Sequence, residues 1–278
     1  MKREIYLVPY GGLANRVRAI NATLELAKAN DIPLTVIWFK NFELNAPFTS
    51  IFNMPLYDKL MVKEATFFDR FIYRSPRRHT LWLPFITAPI LFDRCIYSSE
   101  FVKLRNEGKL EDIIKSSGKV LIESCYDFGN YAPSLSDNFV LVKDILSEVD
   151  NYIDKNFGSR NIGVHIRRTD NLLSIERSPL ELFIDAMQKE VELYPKTKFY
   201  LATDDKATKK YLKDIFGDKI LSIETDCNRN SEEGIKEAVK EMWLLSKTEK
   251  IYGSFYSSFS EIAAKISNIP LQILQIND

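Results

Sequence analysis

The chain has 278 residues, of which 45% are hydrophobic and 12% aromatic, enough to fill the cores of two ordinary domains. Lysine plus arginine and aspartate plus glutamate balance at 38 each, so no global field favours nucleic acid, and any anion binding has to be local. The three cysteines are widely spaced and include no Cys-x-x-Cys pair, which argues against a disulfide framework or structural zinc and for a reducing compartment.

The N-terminal segment predicts a βαβ unit. "REIYLVPY" has the pattern of a short strand, Gly11-Gly12 ends it, and "LANRVRAINATLELAKAND" repeats apolar residues at helical steps. "IPLTVIWF" is the next strand, so the sheet is expected to be parallel. "MKREIYLVPYGG" is too charged for a signal peptide, and no apolar run approaches the length of a membrane span. We therefore expect a cytoplasmic protein.

The region from residue 42 to residue 110 is less regular. It contains "FFDRFIYRSPRRHTLWLPF", in which basic and aromatic residues alternate and prolines interrupt the pattern. One interpretation is an acceptor or partner surface that meets an anionic, lipid-linked glycan and makes at most a peripheral membrane contact. The other interpretation is an irregular, loop-rich segment whose basic face is exposed to solvent. The residues concerned are Arg70, Arg74, Arg77, Arg78 and Trp82.

A second α/β series follows "GSRN" near residue 160. "IGVHI", "KFYLATDD", "KILSIE" and "KIYGS" have strand patterns, and amphipathic helical segments separate them. We expect two Rossmann-like domains that face each other across a cleft, an N-terminal one over residues 1–157 and a C-terminal one over residues 158–278. In such sheets ligands bind beyond the carboxyl ends of the strands.

The stretch "GVHIRRTDN" drives a buried strand directly into two arginines. Arg167 and Arg168 can offer planar forks to a phosphate, for which arginine is better suited than lysine. Strand alternation sends the two side chains to opposite faces, so only one is expected to reach a ligand, and His165 shares the face of Arg167. The alternative is a surface ion-pair cluster.

Polar residues also follow two later strands of this series. Asp204 and Asp205 end "FYLATDD", where they can cap the next helix or form part of a metal site; we favour the cap, because adjacent carboxylates diverge. Ser257 and Ser258 lie where a strand turns into a helix. The free amides of a helix N-terminus can form a phosphate-binding site. The alternative is that the serines only cap the helix.

The loop "PYGGLANR" near the N-terminus is not a Gly-x-Gly-x-x-Gly sequence, so it does not predict a dinucleotide site. The helix that follows Gly12 can still face a diphosphate or a sugar. A tight βα turn is the structural alternative.

Taken together, these motifs resemble the α1,2/α1,6/protein-O-fucosyltransferase superfamily. "GGLANR", "GVHIRRTD", "FYLATDD" and "EMWLLSKTEKIYGSFYSSFSEIAA" occur in the order of that superfamily, and His-x-Arg-Arg-x-Asp is its signature. "GGLANR" and "SSFS" look most like the α1,2 branch, whereas "RRTD" is nearer the α1,6 branch. Ala14 and Arg16 stand where the α1,2 loop has glycine and glutamine, which leaves acceptor and linkage open.

The resemblance implies the GT-B fold and a metal-independent, inverting transfer of fucose from GDP-fucose. It implies that Arg167 holds the β-phosphate and stabilises the departing GDP. Arg168 would support the loop or the phosphates, His165 would contact the guanosine, and Asp170 would order the arginines. No cofactor is expected besides the donor substrate, and no nucleic acid partner.

The resemblance implies that further residues lie around the same nucleotide. Asp204 and Asp205 would lie near it, and Ser257 and Ser258 would bind the diphosphate. Glu241 falls where the α1,6 branch reads guanine, whose paired N–H donors suit a carboxylate. The contacts expected from the N-terminal domain are Gly12, Asn15 and Arg16.

The catalytic base stays open at this stage. Glu176 is near the position of a carboxylate in some relatives, although the spacing differs; Asp170 and a mechanism without a base are the alternatives. The function predicted is a fucosyltransferase acting on a glycan hydroxyl. The alternatives are a transferase for another nucleotide sugar and a non-catalytic nucleotide-sugar-binding protein.

Overall fold

The computed structural model describes residues 3–54, 57–74, 82–128, 135–169, 171–224 and 228–276. The chain divides into two compact units, the first made of Met1–Val140 with Arg229–Glu232 and the second of Leu141–Asn228 with Glu233–Asp278. Each unit contains one five-stranded sheet in which all the paired strands are parallel. This confirms the predicted α/β class with two parallel sheets. No helix in the described ranges is long and apolar enough to cross a membrane.

The first unit is built on the predicted βαβ start. Its strands are β1 (Glu4–Pro9), β2 (Leu34–Trp38), β3 (Leu60–Glu64), β4 (Arg94–Ile96) and β5 (Lys119–Ser124), in the spatial order β3-β2-β1-β5-β4. Its helices are α1 (Leu13–Ala29), α2 (Pro84–Leu91), α3 (Ser98–Asn106), α4 (Leu110–Ser116) and α5 (Leu135–Asn138). The irregular region thus contributes two edge strands, which are short and only partly buried and therefore lack a clear apolar pattern.

The second unit repeats the same architecture. Its strands are β6 (Asn161–Ile166), β7 (Lys198–Thr203), β8 (Ile220–Leu221), β9 (Ile251–Ser254) and β10 (Leu271–Leu274), in the spatial order β10-β9-β6-β7-β8. Its helices are α6 (Lys143–Asn156), α7 (Leu172–Arg177), α8 (Leu180–Leu193), α9 (Lys206–Phe216), α10 (Glu232–Ser246) and α11 (Ser258–Ser267).

Alternation along β6 assigns its side chains to the two faces of this sheet. Ile162, Val164 and Ile166 join an apolar cluster with residues of α8 and α9. The other face meets α10, because a Cβ atom on Gly163 would lie 3.0 Å from Cδ2 of Leu245. His165 follows Gly163 on that second face, which we call the α10 face. The strand therefore delivers a histidine toward α10 and places apolar residues on the α8 side.

The boundary between the units differs from the predicted division between residues 157 and 158. Helix α6 packs with the second unit: Lys240 forms a 2.5 Å ion pair with Glu148, and the ring of Tyr152 lies 5.8 Å from that of Tyr200. The break in the pattern at "GSRN" marks the start of β6, because α6 is the helix that precedes the central strand of the second sheet.

Candidate functional site

The three polar strand ends of the second unit lie side by side, because β9, β6 and β7 are neighbours in the sheet. The Ser254 hydroxyl joins two of them: it accepts a hydrogen bond from the backbone N–H of Arg167 (3.0 Å) and donates one to the carbonyl of His165 (3.3 Å). The backbone N–H of Arg168 donates to Oδ1 of Asp204 at 2.7 Å. Short polar contacts therefore fix the loop after β6 from both sides.

Asp204 is the centre of this arrangement. Its Oδ2 lies 3.1 Å from Nε of Arg167 and accepts a hydrogen bond from the Thr169 hydroxyl at 2.7 Å. One carboxylate thus holds a guanidinium, a hydroxyl and a backbone amide. Thr169 was not singled out from the sequence; its place between the two arginines and Asp170 was the available signal.

The two arginines diverge as the strand alternation predicts. Arg167 pairs with Asp204, whereas Nη1 of Arg168 reaches the carbonyl of Ile175 on α7, a contact at the limit of hydrogen bonding (3.5 Å). Burial lowers the pKa of Arg168, and the charge of Glu181 partly opposes that shift. Arg167 is therefore the arginine on the α10 face, while Arg168 braces the opposite side. Asp170 lies outside the described residues.

His165 is buried behind Arg167, with 5% of its surface exposed. Its ring stacks on Phe259 of α11 with the centroids 4.9 Å apart, and its Nδ1 has no hydrogen-bond partner among the described residues. Burial, followed by the charge of Arg167, lowers the pKa of His165 to about 3. The side chain is a neutral imidazole with one unused polar atom, which is costly unless a ligand or water supplies a partner.

Glu241 lies on the same face of the sheet as His165. Leu245 packs over Gly163, and Glu241 precedes Leu245 by one turn of α10. Glu241 therefore lies about 6 Å nearer to the carboxyl edge of the sheet than Leu245. Two strand residues span about the same distance, so Glu241 is level with His165. Glu241 is buried, and its charge is among the causes, after burial and Glu224, that raise the pKa of Tyr152 to about 12.

The N-terminus of α11 opens at the same edge of the sheet. Ser257 is the N-cap residue but makes no side-chain capping bond, and Ser258 is the first helical residue. Tyr256 before them has φ +55°, and its carbonyl accepts a hydrogen bond from Asn171 Nδ2 at 3.1 Å. The serine-capping alternative is therefore not what the structure adopts, and both hydroxyls are half-buried beside the helix amides.

Asp205 has a structural role that separates it from Asp204. It is the N-cap of α9, where its Oδ2 accepts hydrogen bonds from the backbone N–H (2.8 Å) and the hydroxyl (2.6 Å) of Thr208. These bonds lower the pKa of Asp205. The cap favoured from the sequence is observed. The expectation that Asp205 lies near the nucleotide stays a prediction.

The N-terminal loop holds a buried polar network in the first unit. Gly11 has φ +84°, a conformation that favours glycine, and its N–H donates to Glu43 Oε2 at 3.1 Å. Arg16 is fully buried and donates to the carbonyls of Gly11 (2.9 Å) and Phe39 (2.6 Å) and to Oδ1 of Asn41 (2.9 Å). The expectation that Arg16 reaches a sugar or phosphate is therefore corrected: its guanidinium fastens the βα turn.

The other two predicted residues of this loop keep some exposed surface or free space. Asn15 is half-buried, and its Oδ1 accepts a hydrogen bond from Arg18 Nη2 at 3.0 Å. A Cβ atom on Gly12 would meet no atom within 4 Å. Their contacts with substrate stay predictions.

Glu176 is exposed on α7. Its role as a base stays a prediction. Among the described residues, no group of three or more histidine, cysteine, aspartate or glutamate side chains could hold a metal ion.

Comparison with known proteins gives matches in structure. Neither a family model nor a curated protein matches the sequence. Among solved structures, NodZ α-1,6-fucosyltransferase, known from Bradyrhizobium, crystallised with GDP, has 18% identity and a TM-score of 0.67, over 95% of this chain and 92% of that one. POFUT1 in complex with GDP-fucose has 12% identity and a TM-score of 0.62, over 99% of both chains.

A third similar structure is a variant of Arabidopsis thaliana FUT1 in complex with GDP. It has 14% identity and a TM-score of 0.65, over 98% of this chain and 70% of that one. Each similarity extends through both α/β units of the chain. At these identities the similarity shows the fold, and it confirms the GT-B prediction.

Proposed function

We propose that the protein is a glycosyltransferase that moves fucose from GDP-fucose to a hydroxyl of a glycan acceptor. The observation that carries this proposal is the Arg167–Asp204 pair at the carboxyl edge of the second sheet, beside the open N-terminus of α11. Support comes from the fold, since NodZ was soaked with GDP-fucose, POFUT1 was solved in complex with GDP-fucose, and the FUT1 variant was solved in complex with GDP.

The arginine and the helix terminus suit a departing diphosphate. Negative charge develops on the β-phosphate as the bond to the sugar breaks, and a fixed cation aimed at that charge is usually the largest catalytic contribution. The ion pair with Asp204 holds the Arg167 guanidinium at the carboxyl edge of the sheet, and a guanidinium suits bidentate contact with phosphate oxygens. Ser257, Ser258 and the first amides of α11 would add hydrogen bonds and a favourable helix dipole.

His165 and Glu241 together suit a guanine base. The unpartnered Nδ1 of the neutral imidazole can take part in a hydrogen bond with the nucleoside, and the buried carboxylate of Glu241 can accept from two guanine N–H groups. A uracil base offers a single N–H flanked by carbonyl groups, so it would leave the carboxylate poorly matched. This pairing favours a guanosine donor over a uridine donor.

We further propose that the transfer inverts the anomeric centre and uses no metal, with Arg167 supplying the positive charge that a divalent ion supplies elsewhere. Glu176 is the carboxylate proposed to take the acceptor proton, with Asp170 or late proton loss without a base as alternatives. Gly12 and Asn15 are proposed to contact the sugar. Asp204 acts by positioning Arg167.

Ligand-dependent thermal unfolding is the first experiment. GDP and GDP-fucose are expected to raise the melting temperature and UDP and UDP-glucose to leave it unchanged; a preference for UDP would refute the guanosine assignment. Turnover is then tested by the release of GDP from GDP-fucose without an acceptor and by transfer to a printed glycan array. Stabilisation by GDP with neither hydrolysis nor transfer would favour a protein that only binds nucleotide sugars.

A further inference from the structure

The first unit exposes an unusual concentration of large apolar side chains. Helix α2, "PFITAPIL", buries its small residues Pro84 and Ala88 and exposes larger ones, which reverses the usual arrangement of a helix in a globular protein. Two further exposed aromatic residues, Phe67 and Phe68, lie at the start of the short helix Phe68–Phe71. We call the set the aromatic face: Phe67, Phe68, Trp82, Phe85, Ile86 and Ile90.

The two halves of the aromatic face are joined to each other. The hydroxyl of Thr87 on α2 donates to the carbonyl of Phe71 at 2.5 Å, and the ring of Phe71 lies 5.5 Å from that of Phe67. The two segments that carry the aromatic face are thus in contact with each other. Apolar patches of this kind mark interaction sites on soluble domains.

Two charged residues lie within the short helix that carries part of the aromatic face. Asp69 is buried, where it accepts hydrogen bonds from Lys63 (2.5 Å) and from the N–H of Thr66 (2.8 Å). Arg70, beside it, is half-buried and makes no ion pair with a described residue. The sequence between residues 75 and 81 adds Arg77 and Arg78 and no acid.

Arg74, in the same stretch of sequence, packs against the first unit. Its Nε lies 3.7 Å from Oε2 of the buried Glu123, and its guanidinium packs over the rings of Phe85 and Tyr97. The sequence-based interpretation of four solvated arginines is corrected in this respect. Arg74 instead supports Phe85 from below, which helps to hold that ring at the surface.

We propose that the aromatic face is a docking site for an anionic lipid bilayer. An eight-residue helix is about 12 Å long, too short to span a hydrocarbon core of about 30 Å but suited to lie in the headgroup region. Tryptophan and other aromatic rings favour that region, and the arginines in the sequence around it, Arg70, Arg77 and Arg78, favour anionic lipid. The stretch "WLPFITAPIL" contains no charged residue that would oppose entry into the apolar boundary of a bilayer.

The proposal does not depend on the proposed function, and vesicle binding tests it directly. The full chain is mixed with vesicles of phosphatidylcholine alone or with an equal part of phosphatidylglycerol, and bound protein is measured by sedimentation. Trp38 and Trp243 are buried while Trp82 is 67% exposed, so tryptophan fluorescence reports mainly on the aromatic face. We expect binding to the anionic vesicles, weakened by salt, together with a blue shift.

Variants decide whether this face is responsible. Ile90→Glu combined with Phe85→Glu is expected to weaken vesicle binding by about tenfold or more, because two apolar side chains no longer enter the bilayer. Leu193→Glu is the matched control: Leu193 is 71% exposed against 77% for Ile90, lies on α8, and is expected to leave binding unchanged. Far-ultraviolet circular dichroism checks that each variant is folded.

Three outcomes would overturn the proposal. The first is wild-type protein that fails to bind anionic vesicles, and the second is a double variant that is folded and binds as well as wild type. The third is that the wild type is a dimer and the double variant a monomer that still binds vesicles, which would make the aromatic face an interface between two copies. Each of these results leaves the GDP-fucose assays unaffected, so the two proposals fail separately.

Discussion

Asp204 and Arg167 form an ion pair across the carboxyl ends of two neighbouring strands, with Oδ2 of the aspartate 3.1 Å from Nε of the arginine. The same carboxylate accepts the backbone N–H of Arg168 at 2.7 Å. The pair is partly buried, so its attraction is screened less than that of an exposed pair. The orientation of Arg167 is therefore set by β7, the next strand of the sheet.

Asp204→Asn is expected to lower turnover of GDP-fucose by about a hundredfold. The amide cannot form the ion pair and brings N–H donors toward the guanidinium, so Arg167 can move from its productive position. Asp205→Asn is the matched control at the adjacent position. Asparagine caps helices as well as aspartate does, so stability and activity are expected to stay close to wild type. Steady-state release of GDP measures both. Equal loss in the two variants would mean that Asp205 also meets the nucleotide.

Arg167→Lys keeps the charge but removes the planar fork, and it is expected to reduce kcat by about a thousandfold with the fold intact. Arg168→Lys alters a side chain on the other face of the sheet. Its main effect is expected on the free energy of unfolding, with a much smaller loss of kcat. Stopped assays of GDP release and urea unfolding separate the two. The reverse ranking in kcat would show that Arg168 is the phosphate ligand.

The burial of His165 predicts how the free energy of unfolding depends on pH. Its pKa is near 3 in the folded protein and near the ordinary value of 6.5 when unfolded, so acid protonates the unfolded chain first. The contribution of the neutral imidazole is complete above pH 6.5 and is lost as the pH falls toward 3, by about 1.4 kcal/mol per pH unit. Unfolding free energies of wild type and His165→Gln should converge over that range. A constant difference would mean that His165 is not held neutral.

Much of the second unit could be predicted from its sequence because local patterns determine it. β6 is a continuous buried run that ends in charge, and the order of strands and helices implies a parallel sheet with its ends aligned. The opposite directions of Arg167 and Arg168 follow from strand alternation. Which aspartate would bind the loop could not be predicted, because both follow β7 and both can cap a helix.

The burial of Arg16 could not be predicted, for a different reason. Its partners, the carbonyl of Phe39 and the side chain of Asn41, are more than twenty residues away in an irregular segment. No periodicity in the sequence relates that segment to α1, so a polar residue in a glycine-rich loop resembled a ligand contact. Tertiary packing decided its role.

The last prediction tests the structural role of the buried Arg16. Arg16→Met removes three hydrogen bonds and a positive charge that interacts with the buried Glu43, so unfolding should become easier by about 3–5 kcal/mol. Arg18→Met, on the same helix, removes partly buried hydrogen bonds to the Cys125 carbonyl and should cost only about 1 kcal/mol.

Urea unfolding measures the stability of both variants, and calorimetry measures GDP-fucose binding at a temperature where each is folded. The structural role predicts that Arg16→Met binds the donor with wild-type affinity once it is folded. The reverse pattern, weak donor binding with unchanged stability, would return Arg16 to the substrate site. Because stability and affinity are measured on the same folded sample, the two roles cannot be confused.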